Sequence, residues 1–282
     1  VATLARSCGL LEVTARVLVT RGFTRPEAVE AFLRDQDDPS LDPFQLAGME
    51  AAVARLQEAL RRGESIAVYG DYDVDGQSGT ALMVAFLRRL GARVSYYVPH
   101  RLQEGYGLHL PALRRLRERQ VDLVVTVDCG ISALEAAQGA AEMGLDLIIT
   151  DHHQVPPQLP PARAVVNPHR SDCAYPFKEL AGVGVAFKLA QALWQSLGCP
   201  PEADPNGFLD LVALGTVADV MPLLGENRTL VRRGLERLNQ APRLGLSALR
   251  ETAGLKGELG AGHVAYMLAP RLNAGGRLQD AT

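Results

Sequence analysis

This sequence of 282 residues is short of cysteine, of long apolar stretches and of net charge. Its four cysteines lie far apart and form no Cys-x-x-Cys pair. That spacing argues against a disulfide framework or a zinc knuckle and fits a reducing compartment. No run approaches the ~18 apolar residues of a membrane span, and the N-terminus lacks the cationic, apolar and small-residue succession of a signal peptide. These absences predict a cytoplasmic protein with no membrane attachment.

The charge balance also limits the partners. A net charge of −3 argues against a protein that grips nucleic acid over its whole surface, although a local basic channel remains compatible with it. A hydrophobic content of 47% and a charged content of 22% are typical of a globular chain. The length suits one large domain or two smaller ones, and we find no internal repeat.

The hydrophobic pattern changes twice along the chain. Residues 1–62 have the apolar spacing of helices, and residues 63–199 alternate short β-rich runs with helical stretches. Such alternation predicts right-handed βαβ units. The proline-rich stretch 155–168 is expected to be extended, and residues 200–282 to be mostly helical. The predicted fold is therefore α/β, with a parallel β-sheet flanked by helices at 63–199, a helical N-terminal segment and a helical C-terminal segment.

Acidic residues and histidines follow three of the predicted strands. Because the carboxyl ends of parallel strands meet at one edge of a sheet, these side chains should converge on one crevice. Any one of them has an ordinary explanation, since an aspartate after a strand often caps the next helix. Their recurrence at three strand ends instead predicts a site, formed by Asp71, Asp73, Asp75, Asp128, Asp151, His152 and His153.

A cation is needed among so many carboxylates, because neighbouring carboxylates repel and raise one another's pKa. A calcium EF-hand is excluded, since its twelfth position is Leu82 rather than glutamate and the stretch follows a strand. Carboxylates with imidazole, and no thiolate nearby, suit Mn²⁺ or Mg²⁺, and His152 favours Mn²⁺. The number of carboxylates predicts two ions, which suit in-line displacement at phosphorus.

That chemistry also needs groups that hold phosphate. The stretch "AGVGVAFK" places glycines at a predicted helix start, where free N–H groups attract anions, although ordinary helix packing explains it equally well. The stretch "RLNAGGR" places Arg271 and Arg277 around a predicted glycine-bearing loop, where they could hold phosphate or lie on the surface as ordinary arginines.

Together these motifs resemble a known superfamily. "GDYDVDG", "DCGIS", "DHH" and "GTVADVMPL", in this order, resemble the DHH phosphoesterases, and the likeness covers nearly the whole chain. "TRGFTRPEAVEAFL" and "PRLNAGGRL" are similar to the RecJ family within it, the bacterial single-strand-specific 5′→3′ exonucleases. The resemblance implies a metal-dependent exonuclease core that degrades single-stranded DNA to 5′ mononucleotides in DNA recombination and repair. The 5′→3′ polarity follows from the resemblance alone.

The resemblance also implies a role for each matching residue. Asp73 and Asp75 would serve one ion each, Asp128 would bridge them, and Asp151 would orient its neighbours. His153 would contact the scissile phosphate or protonate the leaving oxygen. The implied metal ligands are Asp71, Asp73, Asp75, Asp128, His152 and Asp219. The implied catalytic residues are Asp75, Asp128 and His153, and the implied substrate-binding residues are His153, Arg271, Asn273 and Arg277.

Members of this family carry further domains. They have a second domain with a glycine-rich, histidine-containing motif, and commonly an OB-fold for single-stranded DNA, neither of which is visible here. We therefore expect the catalytic core portion of a longer protein, with residues 200–282 leading to a second domain. The expected partners are single-stranded DNA, a helicase and a single-strand-binding protein, and the chain is expected to be a monomer.

Three alternatives remain open. The first is a DHH phosphodiesterase acting on short oligonucleotides, cyclic dinucleotides or pyrophosphate. The second is a haloacid-dehalogenase-like phosphatase with an aspartyl nucleophile, which would not call for acidic groups at the next two strand ends. The third is a nucleic-acid-binding scaffold without catalysis, which would not need Mn²⁺.

Overall fold

A computed structural model of the chain describes residues 1–33 and 41–278, with side chains described as far as Gly275. The chain forms two compact units, residues 1–39 and 40–282. In the first unit three helices pack around Leu4, Leu18 and Val29. These helices are α1 (Ala2–Cys8), α2 (Glu12–Thr20) and α3 (Pro26–Leu33). Among the described residues, no helix is both long and apolar enough to cross a membrane.

The second unit alternates strands and helices and then continues as helices. Its strands are β1 (Ser65–Gly70), β2 (Arg93–Tyr97), β3 (Leu123–Val127), β4 (Asp146–Thr150) and β5 (Ala164–Val166). Its helices are α4 (Met49–Arg62), α5 (Val74–Arg89), α6 (Leu110–Glu118), α7 (Leu134–Glu142), α8 (Gly182–Ser196), α9 (Leu209–Ala218), α10 (Gly225–Gln240), α11 (Leu244–Thr252), α12 (Ala261–His263) and α13 (Ala269–Leu278). Short 3₁₀ turns span Pro43–Gln45, Pro201–Ala203 and Pro205–Phe208, and a π-helical turn spans Val264–Leu268.

The five strands form one parallel sheet in the order β2-β1-β3-β4-β5. The strand order reverses between β1 and β3, and the carboxyl ends of strands at such a switch point are where open α/β sheets bind ligands. Gly70 pairs with Val127, and Val127 pairs with Thr150. This register places the residues that follow β1, β3 and β4 level with one another at one edge of the sheet.

Both faces of the sheet are covered at β1, β3 and β4, whereas the edge strand β2 is largely exposed. On β1, Ile66 and Val68 pack in a core that also contains residues of α4, α5 and α8. Ala67 and Tyr69 face the opposite core, which is formed with α6 and α7. Successive side chains of a strand point to opposite faces, so continuous apolar strands are what a sheet covered on both sides requires. The predicted α/β class, with helical segments on either side of the core, is confirmed.

The structure adds a strand within the stretch expected to be extended, and it contradicts one expectation. The proline-rich stretch contains β5, which pairs with β4 through Ala164–Val166. The "RLNAGGR" stretch is helical within α13 rather than a loop. Adjacent glycines disfavour a helix by only about 1 kcal/mol each relative to alanine, so packing can outweigh them. Helix α4, expected in the N-terminal segment, belongs to the second unit; the domain boundaries at 62/63 and 199/200 stay predictions.

Candidate metal centre

The carboxyl ends of β1, β3 and β4 bring acidic and histidine side chains into one cluster. Three sets of side chains each offer ligand atoms that all lie within 4.8 Å of one another. These sets are Asp128, His152 and His153; Asp75, His152 and Asp219; and Asp71, Asp73 and Asp128. Every metal ligand expected from the sequence therefore takes part in at least one set.

His152 lies at the middle of this cluster. Its Nε2 is 3.1 Å from Oδ1 of Asp128, 3.6 Å from Oδ2 of Asp219 and 3.9 Å from Oδ2 of Asp75. The ring is buried, and this burial lowers the pKa of His152 to about 4. The imidazole is therefore neutral near pH 7, which is the form that binds a metal ion.

Asp75 is held by the start of another helix. Its carboxylate accepts hydrogen bonds from the backbone N–H groups of Gly182, at 2.7 Å, and Val183, at 2.9 Å. The glycine-rich start of α8 is thus engaged by a carboxylate of the chain itself. These two N–H groups position Asp75 and do not act as an open phosphate site.

Asp73 and Asp128 each have a distinctive local backbone arrangement. Asp73 is the N-cap of α5, and its Oδ1 accepts from the N–H of Gly76 at 3.0 Å. Asp73 can therefore cap the helix and also bind a metal ion, because one carboxylate oxygen accepts the capping hydrogen bond and the other is available as a ligand. Asp128 has φ 63°, a left-handed conformation that is uncommon for residues other than glycine.

Asp151 contacts both histidines that follow it in the chain. Its buried carboxylate accepts from the backbone N–H groups of Ile131, His152 and His153 at 2.8–3.1 Å. It also lies 2.7 Å from Nδ1 of His153. This hydrogen bond raises the pKa of His153. Burial acts to raise the pKa of Asp151, but the contacts with His153 and the backbone lower it overall. Asp151 thus orients His153 and favours its protonated form.

Burial is the main cause of the raised pKa values of the remaining carboxylates, and repulsion between them adds to it. Burial, followed by the charge of Asp73, raises the pKa of Asp71 to about 7 and that of Asp219 to about 6. Burial raises the pKa values of Asp75 and Asp128 well above the usual range, and neighbouring carboxylates add to the effect. So many buried acidic groups are stable as anions only beside a cation.

Several buried polar atoms of the cluster have no hydrogen-bond partner within the described part of the chain. They include Oδ1 of Asp71, Oδ1 of Asp128 and Nε2 of His152, the last two lying 3.1 Å apart but without the geometry of a hydrogen bond. An unpartnered buried acceptor costs about 1–3 kcal/mol, so each calls for an explanation. Carboxylate oxygens with imidazole nitrogen are the donor set of Mn²⁺ or Mg²⁺ sites. The residues present therefore fit divalent ions.

Asp219 shows what strand-end reasoning could not locate. It follows α9, and its side chain is 29% exposed. A helix-terminal aspartate carries no signal of its own in the sequence, and only the resemblance singled it out. Packing of α9 against α5 brings it to the cluster. Gly215 permits this approach, because a Cβ there would lie 2.7 Å from Oδ1 of Asp75.

The predicted substrate residues lie on α13. Oδ1 of Asn273 accepts from the N–H of Val74 at 3.2 Å, which places Asn273 beside the start of α5. Arg271 is exposed, and its Nη1 donates to the carbonyl of Met267 at 2.7 Å. The side chain of Arg277 lies outside the described residues. The roles assigned to these residues, and to the individual metal ligands, stay predictions.

Comparisons with known proteins agree with this geometry. The family model described as "DHH family, N-terminal domain" matches residues 65–216. The single-stranded-DNA-specific exonuclease RecJ of Bacillus subtilis is 46% identical over 284 residues, covering 100% of this chain and 35% of that protein. A crystal structure of exonuclease RecJ bound to manganese is 44% identical, with a TM-score of 0.77 over 86% of this chain and 60% of the other.

The structure of RecJ from Thermus thermophilus has been solved in two complexes, one with Mn²⁺ and one with Mg²⁺. The Mn²⁺ complex is 40% identical, with a TM-score of 0.76 over 93% of this chain and 36% of the other. The Mg²⁺ complex is 38% identical, with a TM-score of 0.64 over 93% and 33%. The chain spans between 35% and 47% of the length of the curated RecJ relatives it matches.

Proposed function

The chain belongs to the DHH family, and from that premise we propose that it is the catalytic core of a metal-dependent 5′→3′ exonuclease for single-stranded DNA. The reaction would release 5′ mononucleotides, in a cytoplasmic protein that serves DNA recombination and repair. The likeness to the RecJ exonucleases supports the substrate class, and the polarity rests on the resemblance to that family.

One observation carries the proposal: a buried cluster of carboxylates and imidazole lies at the switch point of the sheet, with buried ligand atoms that lack partners among the described residues. Burying so many carboxylates without a cation is energetically costly, and a scaffold that only binds nucleic acid gains nothing from it. An aspartyl-nucleophile phosphatase needs only the aspartates that follow β1, whereas here Asp128 and His152 contribute from β3 and β4.

Two divalent ions are the proposed cofactors, with Mn²⁺ preferred over Mg²⁺ because His152 is among the ligands. Asp71, Asp73, Asp75, Asp128, His152 and Asp219 would hold them. When bound, such ions lower the pKa of water and neutralise charge on phosphate oxygens. The side chains then have to keep the ligand atoms in place as charge develops, which explains why most of them are fixed by backbone contacts.

His153 is the proposed general acid. Water adds to phosphorus while the bond from phosphorus to the 3′ oxygen of the terminal nucleotide breaks, and His153 gives a proton to that oxygen. Asp151 favours this role by holding Nδ1 at 2.7 Å, which raises the pKa of His153 and so favours its protonated form. The exposed fraction of the His153 side chain, 45%, leaves it accessible to a substrate.

Arg271, Asn273 and Arg277 are the proposed phosphate-binding residues on α13. Asn273 already lies beside the start of α5, and exposed Arg271 lies half a helical turn away along the same element. We also propose that the protein is a monomer and that it works with a helicase and a single-strand-binding protein.

Nucleotide release from 5′-labelled single-stranded DNA by the full-length enzyme tests this proposal. Asp75→Ala and Asp128→Ala are each expected to abolish Mn²⁺-dependent release, because each removes a ligand atom from the cluster. Asp172→Ala is a matched control, since Asp172 is exposed and pairs with Arg170. Circular dichroism would check that every variant is folded.

Two results would contradict it. Wild-type rates in either Asp75→Ala or Asp128→Ala would show that the metal centre takes no part in the reaction. Rapid hydrolysis of dinucleotides or pyrophosphate, with no release from long single strands, would instead favour a DHH phosphodiesterase of small substrates.

A further inference from the structure

The hydroxyl group of Tyr106 reaches into the metal centre from a loop that no motif singled out. It donates a hydrogen bond to the backbone carbonyl of Asp128 at 3.3 Å. The same oxygen lies 3.1 Å from Nδ1 and 3.4 Å from Nε2 of His153. One side chain therefore contacts both a predicted metal ligand and the proposed general acid.

The loop that carries Tyr106 is anchored on both sides. Gly105 and Gly107 flank it with φ of 79° and 100°, a conformation that other residues rarely adopt. The hydroxyl of Tyr69 donates to the carbonyl of Gly107 at 3.0 Å. Glu104 accepts from the hydroxyl of Tyr97 at 2.6 Å. These contacts fix the backbone, so the position of the Tyr106 hydroxyl is defined by the fold.

Proton positions give the hydroxyl a definite role. Nδ1 of His153 has one proton, and the shorter contact, 2.7 Å, assigns it to Asp151. The hydroxyl proton is then directed to the carbonyl of Asp128, and its oxygen is left to accept from the N–H at Nε2 of the protonated His153 ring, at 3.4 Å.

Asp128 needs such a contact more than an ordinary strand residue does. Its left-handed backbone, with φ 63°, costs of order 1 kcal/mol or more and persists only where the surroundings hold it. The N–H of Asp128 is bound by the carbonyl of Thr150 at 3.1 Å. The Tyr106 hydroxyl binds the carbonyl on the other side of the same residue.

We propose that the Tyr106 hydroxyl is a positioning group, which holds the Asp128 backbone and the His153 ring in register with each other. The inference rests on the proposed function, because it concerns the same site. It assigns the role to the hydroxyl oxygen and not to the aromatic ring. If the ring instead stacked on a DNA base, the hydroxyl oxygen would not matter, because the stacking contact is made by the ring alone.

Two substitutions separate the oxygen from the ring. Tyr106→Phe removes only the oxygen, and Tyr106→Leu removes both. Loss of groups that orient metal ligands typically costs 10–100-fold in affinity or activity. We expect Tyr106→Phe to lower kcat about tenfold with KM within about twofold, and to weaken Mn²⁺ binding about three- to tenfold. Tyr106→Leu should lose at least as much.

The measurements are calorimetric titration of each variant with MnCl₂ alone and nucleotide release at saturating Mn²⁺. Tyr96→Phe is the matched control, since Tyr96 is an exposed tyrosine on β2, and it should match wild type in both assays. A thermal melt in EDTA verifies that the phenylalanine variants are folded.

Wild-type Mn²⁺ affinity and kcat in Tyr106→Phe would overturn the inference, and a loss confined to Tyr106→Leu would assign the role to the ring. If the full-length wild-type enzyme binds Mn²⁺ without releasing nucleotides, the proposed function fails, and the titration still decides the role of Tyr106.

Discussion

Replacing Gly182 with alanine is expected to disable the metal centre without removing any of its ligands. Gly182 is the first residue of α8, and its N–H binds Asp75. A Cβ at this position would lie 2.5 Å from both Cβ and Oδ1 of Asp128. That is about 0.9 Å short of the 3.4 Å at which ordinary contact begins. Either the Asp128 side chain or the start of α8 must move by a comparable distance.

The size of this displacement sets the expected loss. A misplacement of about 1 Å can cost about 100-fold in rate, which corresponds to about 2.7 kcal/mol. We expect Gly182→Ala to lower Mn²⁺ affinity and nucleotide release by about this factor. Global stability should change little in comparison, because alanine is favoured over glycine in a helix by about 0.5–1 kcal/mol and partly offsets the clash.

Gly184→Ala provides the matched control in the same helix. Its Cβ would meet Leu180 at 3.3 Å, within a few tenths of an ångström of ordinary contact and against the end of a flexible side chain. Mn²⁺ titration and nucleotide release should stay within about twofold of wild type for this variant. Equal behaviour of Gly182→Ala and Gly184→Ala would refute the claim that close packing of α8 positions Asp128.

Two further predictions concern stability. The raised pKa values of Asp71, about 7, and Asp219, about 6, mean that these two carboxyls hold more protons in the folded metal-free chain than in the unfolded chain above pH 4. His152, with its pKa lowered to about 4, acts in the opposite direction, but the two carboxyls together outweigh it. Its stability should therefore fall as pH rises from 5 to 8, by roughly 5 °C in Tm, and Mn²⁺ should reverse this; a melting temperature that rises over this range would contradict the sign. Lys188 is buried, with Nζ 2.5 Å from Oε1 of Glu226. Lys188→Met should lower the free energy of unfolding in urea by about 3–5 kcal/mol, because it leaves the buried carboxylate of Glu226 without its cation and with the Tyr175 hydroxyl as a neutral donor. Arg62→Met, which breaks an exposed ion pair of α4, should cost under about 1 kcal/mol, and similar losses in both variants would disprove the difference.

Much of the fold was predictable because its signals are local. The apolar runs at β1, β3 and β4 are continuous, as strands buried on both faces require, and they alternate with helical stretches. β5 was harder to predict, because its three residues follow several prolines and become a strand only by pairing with β4. The helical "RLNAGGR" stretch was missed because the glycines signal a loop, whereas contacts such as that of Asn273 with Val74 depend on the fold.

The candidate site was predictable to the extent that parallel strands share one edge. Asp128 and His152 follow strands directly, so the sheet alone brings them together. The contributions of Gly182 and Tyr106 have no such signal. Each acts through a contact between residues far apart in the chain, and each depends on a distance of a few ångströms that no spacing in the sequence encodes.

The order of strands and helices along the chain, the type of chemistry and the need for a cation could therefore all be inferred from the amino-acid sequence. These follow from periodicity and from residue type, which are properties of neighbouring residues. The tertiary structure decided which atoms meet. It placed the ends of β1, β3 and β4 in register, docked α8 against Asp75 and Asp128, and brought Asp219 in from a helix. The physical reason is that burial and close packing act between distant segments, so their geometry exists only once the whole unit has folded.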